Sequence, residues 1–465
     1  MASYKILVAA ILLAAQAANA QQPPGNARDP RDPSDPGIRN DGLPGAGGPL
    51  QNKPPLPGPL MDLFFSGKSA FEKVEAVADG LGPTMNLNTC QGCHANPASG
   101  GTSPATNNPQ VSFYMHSLNH TTNTLPRFIT ATGPVREARF PSDGGVHDLF
   151  TIAGMTGTVP SCKLSQPNFA QALAANNLIF RIPTPLFGAG LIEQIPDAAI
   201  IANLDSATTR NEKTAKGIHG KANIVLSGNT ISGQVNKNGN DGTVSRFGWK
   251  AQNKSLLMFA GEAYNVEMGI SNELFQTERE ENPACQFATT PNDTSNPQPT
   301  GLSASDIEQF AAFMRLLAPP APSTTVPGGS DSIGRGRAAF NQAGCGLCHT
   351  PALTTGNATI AALSGKVANL FSDLAVHHMG PLLADGITQG QAGPDEFRTA
   401  PLWGLGKRAF FLHDGRTSDL VVAIHQHRSG PSAATAASEA NAVINNFDML
   451  PDASQQDLLN FLRSL

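Results

Sequence analysis

Two five-residue segments hold the side chains best suited to chemistry: CQGCH at Cys90–His94 and CGLCH at Cys345–His349. On a helix, positions i, i+3 and i+4 share one face, so each segment points two thiols and an imidazole the same way. That arrangement suits a covalently held haem, in which two thioethers pin the porphyrin edge and the histidine ligates iron. Half of a zinc site or a redox CxxC pair are the alternatives, and one copy would leave both open. By composition one such motif arises in a chain like this with odds of roughly one in five hundred, so two copies are no accident. The reading is two covalently bound c-type haems, attached through Cys90, Cys93, Cys345 and Cys348, with His94 and His349 on the irons.

The rest of the chain agrees with that chemistry. Lys5, the apolar run Ile6 to Ala15 and Ala18-Asn19-Ala20 form a charged, then apolar, then small-x-small pattern, the signature of a secretory signal over residues 1–20. The apolar run is too short to span a bilayer, and no later stretch is long enough. A periplasmic or secreted protein without a membrane span is expected. The two cysteines outside the motifs, Cys162 and Cys285, are then free to form a disulfide; two unpaired buried thiols are the alternative. A net charge of −5 and the lack of a basic stripe argue against nucleic acid. Gly 46 and Pro 37 in 465 residues, with 14% charged, mean many loops and a cofactor supplying part of the core. Residues 21–60, rich in Pro, Gly and Asp, read as an extended, largely disordered leader that drapes over the body.

The two motifs sit in a repeated context. Gly67-Lys-Ser-Ala-Phe71 precedes the first and Gly336-Arg-Ala-Ala-Phe340 the second. Arg181-Ile-Pro-Thr-Pro-Leu-Phe-Gly-Ala-Gly190 follows the first, and Arg398-Thr-Ala-Pro-Leu-Trp-Gly-Leu-Gly406 the second. Each half then ends in a similar helix, Ser305–Leu317 with a capping box of Ser305 and Glu308, and Ser454–Leu465. Four anchors in one order indicate a tandem duplication, with residues 318–329 as the linker. The fold class is therefore mainly α: two cytochrome c-like domains, 61–320 and 321–465. The first is enlarged by a loop insertion whose residues 217–248 suggest one or two β-hairpins.

The second axial position on each iron decides function. His413 follows the second anchor in FFLHDGR, and His427 lies fourteen residues further on, beside His425. By ungapped count the matching positions of the first half are Asp197 and Asn211, neither a histidine nor a methionine. Haem 2 is thus expected to be closed by His427 and haem 1 to be open, with His147 the runner-up ligand there. Arg246 and Arg416 are candidate propionate partners, because guanidinium matches carboxylate in a two-point contact. The two tryptophans, Trp249 and Trp403, are candidates to pack on porphyrin or to relay electrons, Trp249 more so. His377, His378 and Met379 are read as lining a haem edge, and His116, His120 and His219 as surface residues.

HDGR with an axial ligand fourteen residues on, two CxxCH motifs and a PLxG segment in each half resemble the bacterial di-haem cytochrome c peroxidase superfamily. RFGWKAQ at Arg246–Gln252, EMGISNELF at Glu267–Phe275, HHMGPLLADG at His377–Gly386 and EFRTAPLWGLG more closely resemble its di-haem oxidoreductase family. In the peroxidases the residue equivalent to His427 is usually methionine; the histidine brings the chain nearer to the rubber oxygenases of the same superfamily. The resemblance places Glu193, in GLIEQIPD, as a distal-pocket acid/base, against the alternative of a glutamate capping the helix begun near Ile195-Pro196. It implies a peroxidase in which haem 2 takes electrons from a small donor, a cytochrome c or cupredoxin, and passes them to haem 1, where peroxide is reduced. Oxygenation of an organic substrate with O2, and a di-haem electron carrier without a substrate, are the competing readings.

Overall fold

The computed structural model describes residues 32–51, 53–116, 124–143, 153–154, 162, 164–224, 230–231, 234–235, 244–277, 282–286, 290–298 and 301–465. The signal segment, His120 and His147 lie outside them. Among the described residues the chain is broadly helical, with 13 α-helices and seven two-stranded antiparallel pairs.

Two helix pairs organise the molecule, and both depend on a missing side chain. Helix Gly58–Glu72 buries Phe64, Gly67 and Phe71 on one stripe and packs on helix Asp306–Leu316, the i, i+3, i+7 spacing of an amphipathic helix. A Cβ at Gly67 would overlap the carbonyl oxygen of Gln309. Helix Gly329–Ala343 packs on helix Asp452–Ser464 in the same manner, and a Cβ at Gly336 would overlap the carbonyl oxygen of Asp457. In both cases glycine brings the two backbones into contact. The anchors that follow the motifs behave alike: Gly190 abuts the carbonyl of Arg315, and Gly406 that of Arg463. The two arginine-led anchors also begin in matching ladders, with Glu137–Arg139 paired to Ile179–Arg181 and Val376–His378 paired to Glu396–Arg398.

The cap of helix Asp306–Leu316 differs in part from the sequence reading. Glu308 accepts from the Ser305 N–H at 2.9 Å, as a capping box requires, but the Ser305 hydroxyl turns to Glu273 at 2.8 Å. Asp293 takes over the helix's first N–H groups, those of Asp306 and Ile307, at 2.8 and 3.1 Å. A carboxylate is the stronger acceptor at a helix N-terminus.

The larger hydrophobic core is not confined to the first half. Leu353, Leu363, Leu370 and Leu374 join it, together with Trp403, while a second core gathers Phe340, Phe371, Phe447 and Phe461. Two short hairpin-like pairs do fall within 217–248, Asn223–Ile224 with Val244–Ser245 and Thr230–Ile231 with Gln234–Val235. Cys162 and Cys285 are joined as a disulfide.

The described part of the leader, residues 32–51 and 53–60, departs from the expectation of disorder. Asp35 accepts from Arg463 at 2.6 and 2.7 Å, and the Arg39 N–H donates to Gly406 at 2.8 Å. Leu50 and Leu56 are buried in the larger core. Few apolar residues suffice here because Leu50 and Leu56 are buried and Asp35 and Arg39 are paired, even though Ile38 stays exposed.

Gly336→Ala should destabilise the protein by about 1–3 kcal/mol through overpacking, read as a lower denaturant midpoint. Gly334→Ala, in the same helix with nothing within 4 Å of the added carbon, should be neutral or stabilising by up to about 1 kcal/mol. Equal effects would remove the close-contact account.

Candidate functional site

Helix Gly329–Ala343 ends at Gly344, whose φ of 98° is a left-handed conformation that glycine adopts without strain. The chain then turns tightly through Cys345–Leu347 and delivers Cys345, Cys348 and His349 to one wall of a cavity of about 220 Å³. Nδ1 of His349 lies 3.0 Å from the carbonyl oxygen of Phe371. A carbonyl only accepts, so the hydrogen belongs on Nδ1 and Nε2 keeps its lone pair, the state that binds iron. Burial lowers the His349 pKa to about 4, so the ring is neutral at physiological pH.

His427 lines the same cavity and repeats the arrangement, its Nδ1 2.7 Å from the carbonyl of Ala423. Burial lowers its pKa too, and its ring is close enough for its charge to be felt at His349. Neighbouring His425 points away, half exposed, with Nε2 on Asp448 at 2.9 Å. His427 is therefore the inward histidine of the pair. His413 also lines this cavity, its ring stacked on Phe397 at 4.3 Å, with its pKa lowered to about 4 by burial.

The short helix Cys90–Cys93 leads into His94, whose Nδ1 is 3.0 Å from the carbonyl of Gly101. These residues line another cavity, of about 160 Å³; in chain order it is the first cavity, and the one that His349 lines is the second. Burial lowers the His94 pKa to about 4. Phe71 meets the His94 ring edge-on at 6.0 Å, and Phe340 stands 6.5 Å from the His349 ring. The cavities differ in their histidines: among the described residues His94 is the one histidine lining the first, whereas His349, His377, His413 and His427 all line the second. Asp197 and Asn211 line neither. Trp249 lines both, its indole N–H donating to the Ile182 carbonyl at 2.9 Å and its ring 6.5 Å from His413.

The thiols distinguish among the readings of CxxCH. A redox pair or zinc site works through thiolate, favoured by cationic surroundings. Here burial pushes the Cys90 and Cys345 thiols up to about 12, and Cys93 higher than its ordinary value. Such sites favour neutral sulfur. The one grouping among the described residues that would suit a metal ion is Cys348, Asp373 and His377. Its imidazole is already held by Asp373 at 3.0 Å and Glu439 at 2.7 Å.

A porphyrin also brings carboxylates, and the second cavity has two cations waiting for them. Arg398 and Arg408 line it. Their hydrogen bonds go to the carbonyls of Gly248 and Pro401, each at 2.9 Å, and neither pairs with a carboxylate among the described residues. Burial lowers both to about 10, and Arg398 also feels Arg408. Buried cations without an anion are costly, so the donor set fits a haem with its propionates.

A family model described as "Di-haem oxidoreductase, putative peroxidase" matches residues 162–465, well over half of the chain. The chain belongs to this family. The match takes in CGLCH and begins after CQGCH. The cofactor of this di-haem oxidoreductase is haem iron. The comparison with curated proteins found no match. Among solved structures, it is similar to hydrazine synthase of Kuenenia stuttgartiensis, at 16% identity and TM-score 0.23 over 40% of this chain and 59% of that one. It is also similar to the diheme peroxidase BthA of Burkholderia thailandensis, at 16% identity and TM-score 0.29 over 47% of this chain and 65% of that one. The oxidoreductase thus spans less than two thirds of the length of either.

Four residues expected at the haems of this oxidoreductase are engaged elsewhere. Glu193 lines neither cavity; its carboxylate accepts from Arg315 at 2.6 and 3.2 Å and from the Leu256 N–H at 2.8 Å, so it joins two helices. Arg246 pairs with Asp197 and donates to the carbonyl of Ile195, which leaves nothing for a propionate. Arg416 pairs with Asp414 at 2.8 Å and donates to the Leu382 carbonyl at 2.7 Å. Trp403 sits in the larger core against Gly188 and lines neither motif cavity.

The residues that do line the first cavity include Arg136, Arg139, Arg181, Glu137, Glu267 and Tyr264. A usable signal existed for some of them. Arg181 and Arg398 open the two repeated anchors, and each lines its own half's cavity. Glu267 opens EMGISNELF. His377 and Met379 line the second cavity as expected, while His378 turns to Asp395 and Glu396; His116 and His219 are exposed.

Glu193→Ala should lower stability by about 1–3 kcal/mol, the cost of leaving polar partners unsatisfied, measured by urea unfolding, with haem spectra as in wild type. A loss of about 100-fold in peroxide turnover at unchanged stability would return Glu193 to the chemistry.

Proposed function

We propose that the protein is an exported di-haem peroxidase with two tandem cytochrome c-like domains. Each domain attaches its haem through its own CxxCH, and electrons from a small cytochrome c or cupredoxin reach peroxide at the first. The observation that carries this reading is the contrast between two cavities bridged by Trp249. One presents His427 as a second imidazole on the cavity that His349 lines; the other, among the described residues, presents His94 with no second histidine. A haem closed on both faces by imidazole exchanges electrons, whereas one with a free face binds a small ligand.

When bound, the haems supply the redox chemistry, and the chain's residues supply the rest. His94, His349 and His427 offer Nε2 to iron, each held in register by its Nδ1–carbonyl bond. Arg398 and Arg408 would hold propionates. Trp249 provides the aromatic path between the sites. Of the carboxylates on the first cavity, Glu137 is held by Arg139, and Glu267 accepts from Asn86. Glu267 takes the acid–base role, moving a proton between the two oxygens of peroxide. The apolar wall of the first cavity, Phe259, Ala260, Ala263 and Met314, keeps bulk water from that exchange.

Mass spectrometry of the mature protein should show two haem masses on a chain lacking residues 1–20. His427→Ala should turn one low-spin ferric signal high-spin and leave the other unchanged, while His425→Ala does neither. Cyanide should bind the wild-type protein at one haem. If His425→Ala changes the spectrum instead, His427 is not the ligand; if no cyanide binds in any oxidation state, the protein is an electron carrier.

A further inference from the structure

Beside the first cavity lies a cluster of acids that the peroxidase reading does not use. Tyr264, buried in helix Leu256–Met268, lines that cavity. Its phenol oxygen is 3.1 Å from Glu75 Oε1 and 3.1 Å from Asp306 Oδ2. A phenol has one hydrogen and cannot give a full bond to two ionised carboxylates at once. The geometry is satisfied when one carboxyl is protonated, so that the phenol donates to one partner and accepts from the other.

The surroundings favour that extra proton. Asp293 adds a further negative charge facing Tyr264. Lys73 is the one cation on the cluster among the described residues, with Nζ 2.7 Å from Glu75, 3.1 Å from Asp79 and 4.0 Å from Asp306. Burial pushes the Glu75 carboxyl above its ordinary range despite Lys73. The cluster has an outlet: Glu75 is sealed at 1% exposure, but Lys73 is 41% exposed, Asp79 34% and Asp306 26%. It also has an electrostatic line to the cavity, because Glu75 and Asp306 both act on the Cys90 sulfur, which marks the porphyrin edge.

We propose that Glu75, Tyr264 and Asp306 form a proton-binding site coupled to the redox state of the Cys90–His94 haem. The inference rests on the reading that this cavity holds a haem. The cluster takes one proton from solvent when the iron gains an electron from its donor, and an O–H bond forms on a carboxylate. It returns the proton when the electron leaves, and that bond breaks. Charge then changes little in a poorly solvated region, where an uncompensated electron is costly. Peroxide reduction consumes protons as well as electrons, so the site couples their arrival in the domain where both are used.

The test is a potentiometric titration of each haem in the full-length holoprotein over a range of pH, which needs no turnover. The first haem's potential should fall as pH rises, approaching one proton per electron. Tyr264→Phe removes one oxygen atom, and Glu75→Gln removes one ionisable group at nearly constant shape. Both should flatten that dependence, while the dependence of the second haem stays as in wild type. A pH-independent first haem in the wild type, or an unchanged slope in both variants, overturns the proposal. Cyanide binding separates the two readings: wild type that binds none, yet keeps the slope that the variants lose, overturns the peroxidase and upholds the proton site.

Discussion

The position of the imidazole in each CxxCH motif traces back to a backbone contact that only glycine allows. Gly67 lets helix Gly58–Glu72 lie directly on helix Asp306–Leu316, and one turn later Phe71 reaches the His94 ring. Gly336 and Phe340 do the same for His349. Spacing the helices by one methyl group would withdraw the phenylalanine from the imidazole, and with it the wall against which the ring is set. The carbonyls of Gly101 and Phe371 then fix the tautomer. Packing decides where the ring is, and hydrogen bonding decides which nitrogen is free.

Charge is organised around the same two places but unequally. On the first cavity Arg181 is neutralised within the protein by Asp385, which also binds Lys250 at 3.0 Å. On the second, Arg398 and Arg408 have carbonyls for partners and, among the described residues, no carboxylate. The second cavity therefore calls the more strongly for an anion, because without one two buried cations stay uncompensated.

Much of this was legible from residue type and spacing. The CxxCH motifs, the pairing of Cys162 with Cys285, the inward face of His427 and the reach of Trp249 across both cavities need no more than local pattern and count. The capping box at Ser305 was legible by half, since sequence shows Glu308 but not the distant Asp293 that takes the other N–H groups. Glu193, Arg246 and Arg416 misled for one reason: a charged side chain in a motif-bearing segment is equally suited to a cofactor and to a nearby opposite charge, and Arg315, Asp197 and Asp414 were nearer. Trp403 misled because an aromatic in a repeated anchor packs as readily on core as on porphyrin. Tyr264 and Glu75, far apart in sequence and in no motif, gave no signal at all.

The bond between Asp35 and Arg463 spans 428 residues. Entropy of loop closure makes so remote a pairing a late event. Asp35 also caps the segment at Leu420, and Arg39 meets Gly406, so this early-made strand is laid over elements that must already exist. The elements beneath it can thus pack while their outer surface is still uncovered. The strand then acts as a clasp, and its fastening records that assembly beneath it is complete.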